Sequence, residues 1–160
     1  MTLDDLRSMF LYEAWASRRL LARLREVREL NPEIRKLFAH LQAGFRVWAM
    51  RIRGEDSRAV AIWPDLTLEE SAALIDENEA AYASVLAGLG ETGLSRKVAY
   101  TNQHGLSYET AVGDILRQVI THGVYHRGQI ALLLRQSGEE PLNTDYITWV
   151  REQAGQPWKH

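Results

Sequence analysis

A chain of 160 residues with an apolar fraction of 46% is long enough for one domain with a real core and too apolar to be disordered. Charged residues make up 25% and balance to a formal net charge of −2, so no basic excess is available to grip a phosphate backbone, and nucleic-acid binding is not expected. Cysteine is absent, which excludes disulfides, thiolate ligands and a cysteine nucleophile, and leaves imidazole, carboxylate and water as metal ligands.

The chain opens on Met1-Thr2-Leu3-Asp4-Asp5. This segment is acidic and reads as a helix start with Thr2 as cap, unlike a signal or transit peptide, so a cytoplasmic location is expected. Leu3, Leu6, Phe10, Ala14, Ser17, Leu21 and Leu24 then recur at helical spacing, and the first helix should end near Glu29. Asn31-Pro32-Glu33 starts a second helix, with Asn as cap and Pro in the first turn. Its stripe is Ile34, Leu37, Phe38, Leu41, Phe45, Trp48 and Ile52, and Gly54 ends it.

A loop through Trp63-Pro64-Asp65 leads to Thr67-Leu68-Glu69-Glu70, a capping box for a third helix with Leu68, Ile75, Tyr82, Leu86 and Leu89 on one face. Glu79 borders that face, where a charge reaching water is expected rather than a ligand. Gly88, Gly90 and Gly93 break the pattern. Lys97-Val98-Ala99-Tyr100-Thr101, a turn at Asn102-Gln103-His104-Gly105, and Leu106-Ser107-Tyr108 predict a small β-hairpin. A fourth helix follows from about residue 109 to 136 and stops at Ser137-Gly138; after Pro141, Asp145-Tyr146-Ile147-Thr148-Trp149-Val150 predicts a short packing helix. The expected fold is all-α: a four-helix bundle with a small β-hairpin before the fourth helix and a short C-terminal helix. Residues 1–154 should form a single domain, with 155–160 as a loose tail. No apolar run is long enough to cross a bilayer. The scattered glycines form neither a GxGxxG fingerprint nor a P-loop.

The most informative residues are His122 and His126 in the fourth helix. Four residues are about one helical turn, so both rings leave the same side, amid the apolar stripe of Val112, Ile115, Val119, Ile130 and Leu133. A hydrogen-bonded core histidine is the common reason for one such ring; two at this spacing can each give a lone pair to one ion. His40 lies beside Leu37 and Leu41 at the border of the second helix's stripe and is the candidate third ligand. Gly44, one turn on, either leaves room beside an ion or lets helices approach closely. His104 falls in the hairpin turn, where solvent exposure is expected unless a hairpin close to the bundle mouth brings it near a ligand, and His160 is at the C-terminal end, where disorder is expected.

Three strings carry a family resemblance over nearly the whole chain. Tyr12-Glu13-Ala14-Trp15-Ala16-Ser17-Arg18-Arg19-Leu20 fits Y-x-x-W-A-x-x-R-L; His40 precedes Trp48 and Arg51-Ile52-Arg53-Gly54; His122-Gly123-Val124-Tyr125-His126-Arg127-Gly128-Gln129-Ile130 fits H-x-x-x-H-R-G-Q-I. The last is the specific one. The chain resembles the DinB-like, or DinB/YfiT-like, metal-binding four-helix bundle superfamily. Many relatives carry a further His one turn before the pair, where this chain has Gln118; that position is not usually a ligand.

The resemblance implies that His40, His122 and His126 bind one divalent metal ion, zinc or nickel first, with iron or manganese as alternatives. Three neutral imidazoles leave an ion its full charge and an open position, the pattern of catalytic sites. Such an ion acidifies a bound water or thiol. Relatives include metal-dependent hydrolases and transferases that use low-molecular-weight thiols, and a thiol-dependent isomerase. Two functions are therefore expected in competition: a metal-dependent thiol S-transferase or hydrolase acting on small electrophiles, and a non-catalytic metal-binding stress-response or interaction bundle. A carboxylate at the mouth would favour the enzyme, and a fully apolar mouth the binding protein. Gln129 is placed to orient a ligand ring, Arg127 to pair with a carboxylate of the protein or of a cosubstrate; Tyr125 points to the flank with no assigned role. The Trp-rich composition and the habits of relatives suggest a homodimer.

Overall fold

The computed structural model describes residues 1–156; His160 and most of the expected loose tail lie outside them. Four long helices, α1 (Leu3–Glu26), α2 (Pro32–Arg53), α3 (Leu68–Gly88) and α4 (Val112–Gln136), form the bundle, and α5 (Tyr146–Gln153) follows. A 3-10 turn (Glu91–Ser95) and the antiparallel strands β1 (Lys97–Thr101) and β2 (Ser107–Ala111) lie between α3 and α4. No helix among the described residues is long and apolar enough to cross a membrane.

The helix starts follow from local chemistry. Thr2 Oγ1 accepts from the Asp5 amide at 3.1 Å while the Asp5 carboxylate accepts from the Thr2 amide at 2.7 Å. Thr67 and Glu70 make the same reciprocal pair at 3.1 and 2.8 Å. Each such box satisfies amides that the helix itself cannot, worth about 1 kcal/mol. Asn31 Oδ1 caps α2 through the Glu33 amide at 2.9 Å. At the other end of α2, Gly54 takes a left-handed φ of 77° and its amide, with that of Glu55, closes on Arg51 and Met50 carbonyls.

Two boundaries differ from the sequence expectation. Helix α1 ends at Glu26 rather than near Glu29, because Val27 turns extended (φ −73°, ψ 118°) to begin the reversal into Pro32. Residues Glu109, Thr110 and Ala111, expected in α4, belong to β2 instead. The five-residue register from Lys97↔Ala111 to Thr101↔Ser107 satisfies their backbone across the hairpin before the helix begins.

Helices α1 and α2 each pack against both α3 and α4. Buried side chains form two apolar clusters. One gathers Leu6, Phe10, Phe45, Tyr82, Leu116 and Val119 with their neighbours; the other gathers Leu20, Leu24, Phe38, Ile75, Ile130 and Leu134. Buried polar residues divide them along every helix: Glu13 and Ser17 on α1, His40 and Gln42 on α2, Asn78 on α3, His126 and Arg127 on α4. The layer satisfies itself in part: Gln42 Nε2 donates to Ser17 Oγ at 3.2 Å, and Asn78 Nδ2 donates to the Gln42 carbonyl at 3.0 Å. Apolar burial on both sides holds the bundle together. The polar layer sits where hydrophobic stabilisation is given up, which marks it as the place for chemistry.

Candidate metal centre

Helix α2 brings His40 to the polar layer, and α4 brings His122 and His126 one turn apart to face it. One nitrogen from each ring lies within 4.8 Å of the other two. Ligands on one tetrahedral ion at about 2.0–2.1 Å stand roughly 3.3 Å apart, so the rings need close by at most about 1.5 Å to share an ion. The donor set therefore fits a divalent metal, and three imidazoles leave at least one position open.

Tautomers agree with this reading. His40 Nδ1 lies 2.8 Å from the Ile62 carbonyl, which can only accept, so the hydrogen sits on Nδ1 and Nε2 keeps its lone pair. His126 Nδ1 lies 2.6 Å from Gln129 Oε1, which fixes the same tautomer. Burial, and to a smaller degree His126 and His40, pushes His122 down to about 4. His40 is also lowered, again by burial first, against the opposing bond to Ile62. Both rings are thus neutral near pH 7, the form that binds metal.

The supporting contacts explain why the rings point where they do. The Trp63 indole lies flat on His40, with centroids 3.6 Å apart and planes 6° from parallel. A Cβ built on Gly44 would stand 3.4 Å from His122 Nε2, so this glycine keeps side-chain bulk away from a candidate ligand nitrogen. Behind His126, Arg127 is buried against Glu13 of α1: Nη1 and Nη2 each donate to a carboxylate oxygen, the latter at 2.9 Å. Nη2 also donates to Tyr12 Oη at 3.1 Å, and Tyr12 Oη donates in turn to the Thr144 carbonyl at 2.7 Å. Burial pushes the Glu13 carboxyl up, and its bonds to Arg127 oppose that rise. A Cβ on Gly123 would collide with Glu13 Oε2, so Gly123 is the space in α4 that admits the carboxylate.

The carboxylate expected to pair with Arg127 is therefore Glu13. Glu79 stands outside the three-histidine group, as expected, and pairs with a surface cation, Arg18. Tyr125 is exposed on the outer flank. His104 is exposed in the hairpin turn and stands apart from the three-histidine group.

A cleft of about 370 Å³ opens beside His40 and His122. Helix α2 lines it with Gly44, Trp48 and Arg51, α4 with Gln118, and the hairpin with Tyr100, Gln103, His104 and Tyr108. The hairpin thus forms one wall of the mouth. Sequence reasoning did not identify Ile62, Trp63 or Arg51 as parts of the site. Trp63-Pro64 in a loop and the spacing of Arg51 from His40 on α2 were the available signals, but neither says which loop covers which ring.

Comparison with known proteins accords with the geometry. The DinB family model matches residues 7–158. Protein DinB of Bacillus subtilis (strain 168) is 26% identical over 153 residues, covering 86% of this chain and 89% of that protein. The crystal structure of a DinB-like protein from Bacillus cereus ATCC 10987 superposes with a TM-score of 0.68 at 17% identity, covering 89% of this chain and 97% of that one. With a bundle of this shape and a family match along almost its entire length, the chain belongs to the DinB family.

Proposed function

We propose that His40, His122 and His126 hold one divalent ion, zinc or nickel first among the metals suited to imidazole, and that this centre activates a small-molecule thiol for transfer to a small electrophile. The observation that carries the reading is the convergence of three imidazoles, two with Nδ1 already engaged by Ile62 and Gln129. When bound, the ion supplies Lewis acidity that lowers the pKa of a coordinated thiol or water. The protein's residues hold the rings, keep Gly44 open beside them and present a polar, aromatic-walled cleft to the ligand.

The cleft is neither fully apolar nor lined by any carboxylate among the described residues. A hydrolase that relies on a carboxylate as general base has no candidate there, whereas a thiol brings its own nucleophile. This favours S-transfer over hydrolysis. It also supports the second reading, a metal-binding stress-response or interaction protein without turnover. Exposed Leu11, Tyr125 and Leu132 leave apolar side chains that a second copy would cover, in keeping with a homodimer.

Protein purified without a metal-affinity tag should carry close to one equivalent of metal by elemental analysis. His40→Ala, His122→Ala and His126→Ala should each lose most of it, and His104→Ala should keep it. Equal loss in His104→Ala overturns the ligand assignment. A cobalt-substituted sample should develop a sulfur-to-metal charge-transfer band with a suitable thiol. Chlorodinitrobenzene should then react with that thiol faster than in the protein's absence. A silent spectrum with no turnover leaves the non-catalytic reading standing.

A further inference from the structure

Among the charged side chains of the cleft, Arg51 is the one whose partners do not explain it. It is only 5% exposed, yet it forms no ion pair with a carboxylate among the described residues. The nearby acids of the same loop are already engaged: Glu55 with Arg53 at 2.7 Å and Asp56 with Arg58 at 2.8 Å. Its guanidinium carbon lies 4.5 Å from the Trp48 centroid and 4.7 Å from that of Tyr100, in the corner made by two rings that meet edge to face at 80°. In its plane, Nε donates to Ser57 Oγ at 3.2 Å and Nη2 to Gln103 Oε1, also at 3.2 Å. Both acceptors are neutral. Nη1 donates to no acceptor among the described residues, and the residue lines the cleft.

A guanidinium cannot shed its charge at neutral pH, and burying it without a counter-ion is costly. Cation–π contact with the two rings recovers part of that cost without supplying a counter-charge. A planar edge with a free nitrogen matches a carboxylate.

We propose that Arg51 is the carboxylate-recognition residue of the cleft, taking the anionic end of a small ligand whose other end reaches the three histidines. The inference rests on the metal reading given above. Helix geometry sets the size of that ligand. Arg51 lies about 16 Å beyond His40 along α2, and its side chain leans back to the level of Trp48, about 12 Å along the axis from His40. The chemical class is an acyclic or small thiol that carries a carboxylate several bonds from its sulfur.

The test compares 6-mercaptohexanoate with neutral 6-mercaptohexan-1-ol on zinc-loaded protein by isothermal titration calorimetry, with zinc content measured on the same samples. The acid should bind about tenfold or more tightly than the alcohol, the worth of one charge-assisted contact. Arg51→Gln should erase the preference of the acid over the alcohol. Because Arg51→Gln also removes a packed side chain, Gln103→Glu provides an independent arm. It places a carboxylate 3.2 Å from Nη2, so it should raise the melting temperature and abolish the preference for the acid. Equal affinity of the two thiols for the wild type, no binding of either, or a preference that survives Gln103→Glu overturns the proposal. A wild type that lacks stoichiometric zinc overturns the metal reading instead, which separates the two failures.

Discussion

The Glu13–Arg127 pair joins α1 to the helix that carries two of the three histidines, and it is the most consequential polar contact to break. Both side chains are almost fully buried, 2% and 3% exposed. Glu13→Ala removes the counter-ion and leaves a guanidinium that cannot neutralise itself, with only Tyr12 Oη accepting from it. Stranding a buried charge in this way costs about 3–5 kcal/mol. For a domain of this size each kcal/mol is worth about 2–4 °C, so the melting temperature should fall by roughly 6–20 °C. Thermal unfolding followed by circular dichroism measures this directly. The double variant Glu13→Leu, Arg127→Met removes both charges and keeps apolar volume, so it should recover most of the loss. Because Arg127 adjoins His126, zinc affinity should weaken in Glu13→Ala and return in the double variant. A loss below about 1 kcal/mol in Glu13→Ala, or a double variant as unstable as the single one, refutes the view that this pair is a desolvated ionic contact.

Gln129→Ala removes the acceptor that fixes the His126 tautomer, and competition titrations should show metal affinity lowered by about 10–100-fold, with Gln118→Ala unaffected. Gly123→Ala forces a methyl group against Glu13 Oε2 and should cost about 1–3 kcal/mol in urea unfolding. Metal-free protein should lose stability on mild acidification. His122 stands at about 4 in the fold against an ordinary 6.5, so between those values the unfolded chain binds more protons and stability falls as pH drops. Urea midpoints at about pH 7 and about pH 5 should differ in the wild type and differ less in His122→Gln. A slope that persists undiminished in that variant would place the titration elsewhere. Chelation should lower the melting temperature without unfolding the bundle at room temperature, since metal at 1,000 times its dissociation constant adds only about 4 kcal/mol.

Much of this protein was legible in one dimension because the relevant signals are local. The capping boxes at Thr2 and Thr67 act over three residues, the apolar stripes repeat every turn, and His122 and His126 are neighbours on any helix that contains them. The third histidine came from resemblance and from its place on a stripe rather than from spacing, since nothing local ties residue 40 to residue 122. What only the tertiary structure decided are the contacts between elements far apart in sequence. The 62–63 loop folds over His40, the hairpin closes one wall of the cleft, Glu13 reaches into the gap at Gly123, and Arg51 has no carboxylate partner among the described residues. The hairpin also took residues 109–111 from α4, because cross-strand hydrogen bonds to residues 97–99 outweighed local helical preference. Such outcomes depend on which surfaces meet when α1 and α2 pack against the same two helices. A sequence carries the propensity of each segment and the pattern of each face, whereas a buried charge finds its partner, or goes without one, only after the faces are joined.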